Sequence, residues 1–385
     1  MIPASPDIHP QNLIAETLRG GDARFPADAS PAFSGAVIRH CALHGVTALL
    51  DHALSQRPFA SWPEDLRGIL RDSARHEAAR ELLIEMELER LVAKLDGEGV
   101  QALLFKGAPL AYTIYPEAYL RSRCDTDILV PYAQSEQADS ALRAAGYRPD
   151  EHAAGGELAS SERMYTREVL KGVAHVVDLH WRLSNRQAYA QALDFEILVA
   201  DAVPVSSLGP AARMPGLVHG LLIACLHRTT NLHPPRIVDG LAHVSGNRLI
   251  WLCDIHRLAG LLSDADWGRF TRQAADAGLR AVCLDGLRAA QAHFGTALPD
   301  AVVASLAKPG PREVSAGHLK PGRWRKHVVD LRALTGWRQR LQLLREWVFP
   351  PAEYMLRKYG TTARALLPWL YLRRLVTGIW RSRPR

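Results

Sequence analysis

Three aspartates carry the chemistry this sequence can offer. Asp125 and Asp127 stand two apart at the head of DTDILVP (125–131), and Asp178 sits inside the apolar run VVDLHW. In a strand, residues i and i+2 project to one face. Asp125 and Asp127 are therefore expected side by side, with Thr126 turned the other way. Two carboxylates held together repel unless a cation lies between them. A lone carboxylate in an apolar strand, as at Asp178, costs several kcal/mol unless it is compensated. A divalent ion shared by all three answers both problems. Mg2+ (or Mn2+) is the expected ion, because it takes hard oxygen ligands and keeps waters and substrate phosphates. One such ion would lower the pKa of an acceptor hydroxyl, and a second would hold a triphosphate and its leaving pyrophosphate. The third carboxylate could also take the acceptor's proton.

Upstream lies LLFKGAPLAY, a short apolar run broken by Gly107. Gly107 would let backbone approach a phosphate closely, with a helix N-terminus behind it. Lys106, Arg121 and Arg123 are candidate phosphate partners. His180 should share the face of Asp178, where it either lines the site or holds that aspartate in place.

These residues need particular elements to position them. Residues 102–106 read as a buried strand, followed by a short helix over APLAYTIYP. TDILVP (126–131) is a second strand, 134–145 a helix stopped near Gly146, and 175–183 a further strong strand. Between them come a loop around Gly155 and Gly156 and a strand over MYTREV. Residues 36–98 carry a helical pattern, clearest where Leu82, Leu83, Met86, Leu88, Leu91, Val92 and Leu95 recur near a 3.6-residue period. Residues 1–35 read as irregular at the start, and the chain is mostly helical from about 188. The Pro/Gly-rich stretch 308–323 resembles a linker, and Arg-rich amphipathic helices interrupted by Pro350, Pro351 and Pro368 follow. The expected division is an N-terminal helical region (1–98), a catalytic core (99–200), a helical domain (201–307), and a linker with a basic helical tail (308–385).

The order strand, glycine, short helix, Asp-x-Asp strand and later acidic strand resembles the DNA-polymerase-β-like nucleotidyltransferase superfamily. Phe105-Lys106-Gly107-Ala108 and Asp125-Thr126-Asp127 carry that resemblance. More narrowly, LLFKG, Arg121, DTDILV and VDLHW are similar to the bacterial "uncharacterised nucleotidyltransferase" family, over about 40–300. CLHRTTNLHPP and RLIWLCDIHRL resemble that family's helical half. The resemblance implies an α+β fold with a small mixed sheet and flanking helices. It also implies Mg-dependent transfer of a nucleoside monophosphate from an NTP, with ATP the expected donor. The acceptor would be a hydroxyl or phosphate of a small molecule or peptide, in natural-product or polysaccharide biosynthesis. RNA or tRNA ends, γ-phosphoryl transfer at the same site, and nucleotide binding without catalysis are the alternatives. Ala108 stands where the superfamily has Ser or Gly, and Thr126 fills an otherwise apolar slot; both bear on nucleotide affinity.

The chain has 385 residues, 48% of them hydrophobic, enough for more than one core. Its five cysteines show no C-x-x-C pair, and the N-terminus has no signal-peptide pattern, so a reducing cytoplasm fits. Residues 320–385 hold 16 Lys+Arg against 3 Asp+Glu, whereas the whole chain is only +7. This tail could meet nucleic acid, an acidic ligand or, as a lesser expectation, a membrane surface. The stretch bearing His219, Cys225, His227, His233, His243, Cys253 and His256 lacks zinc-ligand spacing and reads as core and interhelical hydrogen bonding, with a pocket role open for His227.

Overall fold

The computed structural model describes the chain except residues 1–8, 22, 57–60, 151–157, 191, 233–235, 239–240, 244–245, 309–312, 321 and 381–385. The loop expected around Gly155 and Gly156 therefore lies outside the described residues. The N-terminal layer holds helices α1 (Pro10–Leu18), α2 (Pro31–His44), α3 (Thr47–Ser55) and α4 (Glu64–Gly97). The region expected to be irregular thus contains a helix, started by Pro10 behind a His9 side-chain cap. Ser30 caps α2 in the same way, and Gly45 ends it in the left-handed conformation.

The central layer runs β1 (Leu103–Phe105), α5 (Gly107–Thr113), β2 (Thr126–Leu129), α6 (Ser135–Ala144), β3 (Arg148–Pro149), β4 (Glu162–Leu170) and β5 (Val173–His180). Its five strands form one mixed sheet in the order β1-β2-β5-β4-β3. β2 is an interior strand and wholly buried, antiparallel to β1 and parallel to β5. Short elements follow: α7 (Gln187–Ala190), α8 (Phe195–Ala200) and the β6 (Val203–Pro204)/β7 (Arg213–Met214) ribbon. Helix α9 (Leu217–Asn231), the β8 (Arg236–Val238)/β9 (Leu241–His243) ribbon, α10 (Leu249–Leu261), α11 (Asp264–Asp276), α12 (Arg280–Phe294) and α13 (Asp300–Leu306) make the helical half. The tail carries α14 (Arg323–Ala333), α15 (Trp337–Val348), α16 (Ala352–Lys358) and α17 (Leu367–Trp380). This is the α+β architecture expected, a small mixed sheet with flanking helices.

One apolar cluster, reaching from Leu88 to Leu306, joins α4, the sheet, α9, α10 and α12. A second packs α1–α3 against the start of α10. The sheet and the helical half are therefore held in fixed relation, which a site between them needs.

Two expectations fail locally. Leu82 and Met86 were placed on the buried stripe of α4, yet they are 63% and 53% exposed, while Glu81 and Glu87 are buried. The helix is turned so that these glutamates meet buried partners. Glu81 pairs with Arg123 at 2.7 Å, and Glu87 with Arg167 at 2.6 Å and Tyr147 at 3.0 Å. Satisfying buried polar groups outweighs exposing two apolar side chains. In the stretch read as a linker, Val314–Leu319 forms a docked turn, with Ser315 and His318 buried and His318 3.2 Å from Asp330 of α14. No single helix among the described residues is long and apolar enough to cross a membrane.

Candidate active site

β2 and β5 run parallel with Asp127 and Asp178 as direct register partners. β1 places Phe105 opposite Asp127 on the other side. Carboxylates from two strands separated by 51 positions in the chain therefore converge at one level of the sheet. Asp125 precedes the first residue of β2 and lines the same cavity as Asp127 and Asp178. Thr126 points to the opposite face, where its hydroxyl meets His175 at 2.9 Å. His175 continues to the Tyr147 hydroxyl at 2.6 Å. Burial, with Arg123 adding to it, pulls the His175 pKa down to about 3, so the ring is neutral and can share these protons. The polar residue in the Asp-x-Asp slot thus bolts β2 to the back of the sheet and touches nothing in the cavity.

The front face is rich in unbalanced negative charge. Burial, reinforced by Asp127 and Asp125, pushes the Asp178 carboxyl up to about 7. Asp125 is raised by burial and by Asp127. Asp127 moves the other way. Burial opposes its charge, but the Lys106 ammonium at 2.5 Å and the His180 Nε2 at 2.8 Å hold it well below the usual carboxylate range. Lys106 is raised in turn, because Asp127 outweighs the burial that would lower it. His180 sits with its Nδ1 3.2 Å from Glu162 and its ring edge-on to Phe105. It holds Asp127, and is not a partner that orients Asp178 alone.

Ligand atoms of Asp127, Asp178 and His180 lie within 4.8 Å of one another, close enough to share an ion. The donor set suits a hard divalent cation: two carboxylates from neighbouring parallel strands, a third beside them, and one of them costly to ionise without a cation. Asp125 lines the same cavity beside this group.

Lys106 is held in an unusual backbone conformation, φ 58° and ψ −130°, and no other non-glycine among the described residues has positive φ. Such a conformation costs on the order of 1–3 kcal/mol and persists where the surroundings enforce it. Here it turns the chain sharply from β1 into α5 and delivers the Lys106 ammonium to Asp127. Gly107 follows, and a Cβ there would collide with the Arg121 guanidinium. The open backbone at Gly107 is thus occupied by an arginine. Ala108 is buried within α5.

The two arginines considered for phosphate are otherwise engaged. Arg121 makes a buried two-pronged contact with Asp254 of α10, 2.7 Å and 3.3 Å, and Tyr115 donates to the same carboxylate at 2.8 Å. It ties the sheet to the helical half. Arg123 is buried in its pair with Glu81 and meets the Tyr112 hydroxyl at 3.1 Å. Both residues also line the cavity described below.

Between the sheet and the helices opens a cavity of about 1080 Å³, ample for a nucleotide beside pockets of roughly 300–1,000 Å³ that hold small ligands. Asp125, Asp127 and Asp178 form one wall; His227, Arg248 and Trp251 stand on the other. Sequence reasoning missed Arg248 and Trp251. The Arg248 Nε donates to Leu43 O at 2.9 Å, and its guanidinium lies 5.7 Å from the Trp251 ring. Burial, with Arg121 adding to it, lowers its pKa. His227 packs edge-on to Trp251, and burial followed by the Lys106 charge depresses it to about 3, leaving a neutral ring on the cavity wall. Of the other His/Cys residues, Cys225 and Cys253 are buried, His219 meets Asp201 at 3.0 Å and His256 meets Thr296 at 3.0 Å, all structural contacts. His233 lies outside the described residues.

No curated protein matches the chain. Residues 33–295, which span α2 through α12 and so include both walls of the cavity, match the family model described as "Uncharacterised nucleotidyltransferase", and the chain belongs to that family.

Proposed function

We propose that this protein transfers a nucleoside monophosphate from an NTP, ATP in the first instance, to a hydroxyl of a small molecule or peptide. Membership of a nucleotidyltransferase family gives the general reaction. The observation that supports the site is the direct pairing of Asp127 with Asp178 on parallel strands, at the wall of a nucleotide-sized cavity.

Bound by the three carboxylates, divalent ions would supply charge neutralisation for the triphosphate and acidify the acceptor hydroxyl. The chain's own groups do the rest. The acceptor oxygen forms a bond to the α-phosphorus as the bond to the α–β bridging oxygen breaks and pyrophosphate leaves. Asp178 receives the acceptor's proton. Lys106 moves from Asp127 toward the phosphates as the carboxylate takes up its ligand role, so one cation serves both states. Arg248 faces the triphosphate from the helical wall, and Trp251 offers a buried aromatic surface beside it. Arg121 keeps the two walls at a fixed spacing through Asp254.

The test is product analysis. The protein, Mg2+, each of the four NTPs and panels of hydroxyl acceptors, including RNA ends, are incubated and the products weighed by mass spectrometry. Pyrophosphate and a nucleotidylated acceptor are expected. Release of ADP with a phosphorylated acceptor would make the enzyme a phosphotransferase on the same carboxylates, and nucleotide binding without turnover would make it a sensor.

A further inference from the structure

The tail carries an apolar surface that is exposed among the described residues. On α15, Trp337 (70% exposed), Leu341 (59%) and Leu344 recur at i, i+4 and i+7, one face of a helix. The opposite side of the same helix is the docked one. Leu343 is fully buried, and the Glu346 carboxylate accepts from the Leu158 and Ala159 amides at 2.9 Å and 2.7 Å. At about 100° per residue, Arg338 and Arg345 flank the exposed stripe on one side and Arg340 on the other; all three are exposed. The pattern continues on α17, where Trp369 (54%), Leu372 (59%) and Leu375 are exposed and Leu370 packs inward on α16. Phe349 bridges the two helices, exposed yet 5.5 Å from the Tyr371 ring. Beside α15 this surface forms an open groove of about 640 Å³.

An apolar stripe with tryptophan in it, bordered on both sides by arginine, matches the layering of a bilayer interface. The apolar residues enter the acyl boundary, tryptophan sits at headgroup level, and arginine stems reach out to lipid phosphates. Charge complementarity selects the lipid: residues 320–385 hold 16 basic against 3 acidic side chains, which favours an anionic leaflet. A nucleic acid would be met by the arginines but leaves Leu341, Leu344 and Leu372 without a use, since phosphate contacts dominate there. We propose that the face formed by α15 and α17 docks this protein on an anionic membrane surface. Trp347, on another side of α15, lines the catalytic cavity, so docking would hold that cavity about one helix diameter, roughly 10–12 Å, from the lipid. Lipid binding is independent of the reaction assigned to the cavity, and each stands or falls alone.

The experiment is co-sedimentation of the full chain with vesicles of phosphatidylcholine, with and without phosphatidylglycerol, at low and high salt. Binding to the anionic vesicles is expected, with little to the neutral ones. W337E/L341E, both exposed and so without cost to the fold, should lose binding at least tenfold. R338Q and R345Q should each weaken it about fivefold, while Mg·ATP binding is unchanged in all of them. No association with anionic vesicles at low salt overturns the proposal. So does binding that W337E/L341E leaves intact, self-association removed by the same substitutions, or RNA binding that replaces lipid binding.

Discussion

Replacing Asp178 with Asn should stabilise the metal-free protein while destroying its use of a metal–nucleotide complex. The Asp178 carboxyl rises from 3.8 in the unfolded chain to about 7 when folded, chiefly through burial and then Asp127 and Asp125. The native state therefore holds a proton that the unfolded chain releases between those values. Stability from the protonated carboxyl is full below about pH 4 and is lost as pH rises through about 7. At about 1.36 kcal/mol per unit, the ionisation mismatch opposes folding by about 2 kcal/mol near pH 5.5 and about 4 kcal/mol near pH 8. Asp178 is partly exposed, and halving the difference for solvent screening leaves roughly 1 kcal/mol. Asp178→Asn removes that mismatch. Its advantage over the wild type, measured by urea unfolding in EDTA, should grow by roughly 1 kcal/mol from about pH 5.5 to about pH 8. His175 and His227 carry the opposite slope, since both are depressed to about 3 and remain neutral when folded. They are common to both proteins and cancel in the difference. With Mg2+ and a non-hydrolysable ATP analogue the ranking reverses: the wild type gains about 2.7 kcal/mol at a hundredfold excess over Kd, and the variant gains little. An advantage that does not grow with pH, or a variant less stable than wild type at about pH 8, refutes the reasoning.

Asp127→Asn should abolish turnover and also cost the fold about 3–5 kcal/mol, because Lys106 and His180 lose their buried partner; kinetics and urea midpoints read the two effects separately. Gly107→Ala drives a methyl into the Arg121 guanidinium, so it should loosen the Arg121–Asp254 tie and raise KM for NTP, with a stability loss of about 1–3 kcal/mol measured by thermal unfolding. Arg248→Gln should weaken NTP binding about tenfold in calorimetry, on the order of a charge-assisted hydrogen bond, with little loss of stability. Thr126→Val leaves His175 without one of its partners and should cost about 1–3 kcal/mol of stability, with kcat unchanged.

The alternation of Asp125, Thr126 and Asp127 and the lone Asp178 were readable because strand periodicity alone assigns their faces. Four of the sheet's five strands were readable from their apolar runs, while the two-residue edge strand Arg148–Pro149 was too short to show a period. Arg121 was not: its partner Asp254 lies 133 positions away, and only the packing of α10 on the sheet brings them together. Asp254 did carry a signal, an acid alone in the apolar run LIWLCDIHRL, the same signal that marked Asp178. The rotation of α4 was hidden because Leu82 and Met86 fit the helical period as well as Glu81 and Glu87 fit the buried pairs. Periodicity weighs apolar residues and cannot see a buried arginine waiting across the interface. Arg248 stayed unremarked since nothing local separates an arginine that faces a cavity from one on a solvated loop.

The account turns on whether the paired aspartates hold a divalent ion beside a triphosphate. Crystals grown with Mn2+ and a non-hydrolysable ATP analogue, measured at the manganese absorption edge, address this directly. The predicted result is an anomalous peak within direct coordination distance, about 2 Å, of carboxylate oxygens of Asp127 and Asp178, with Lys106 displaced from Asp127 onto the phosphates. A nucleotide bound in the cavity with no manganese on those carboxylates, or manganese bound elsewhere with Lys106 still on Asp127, would contradict it.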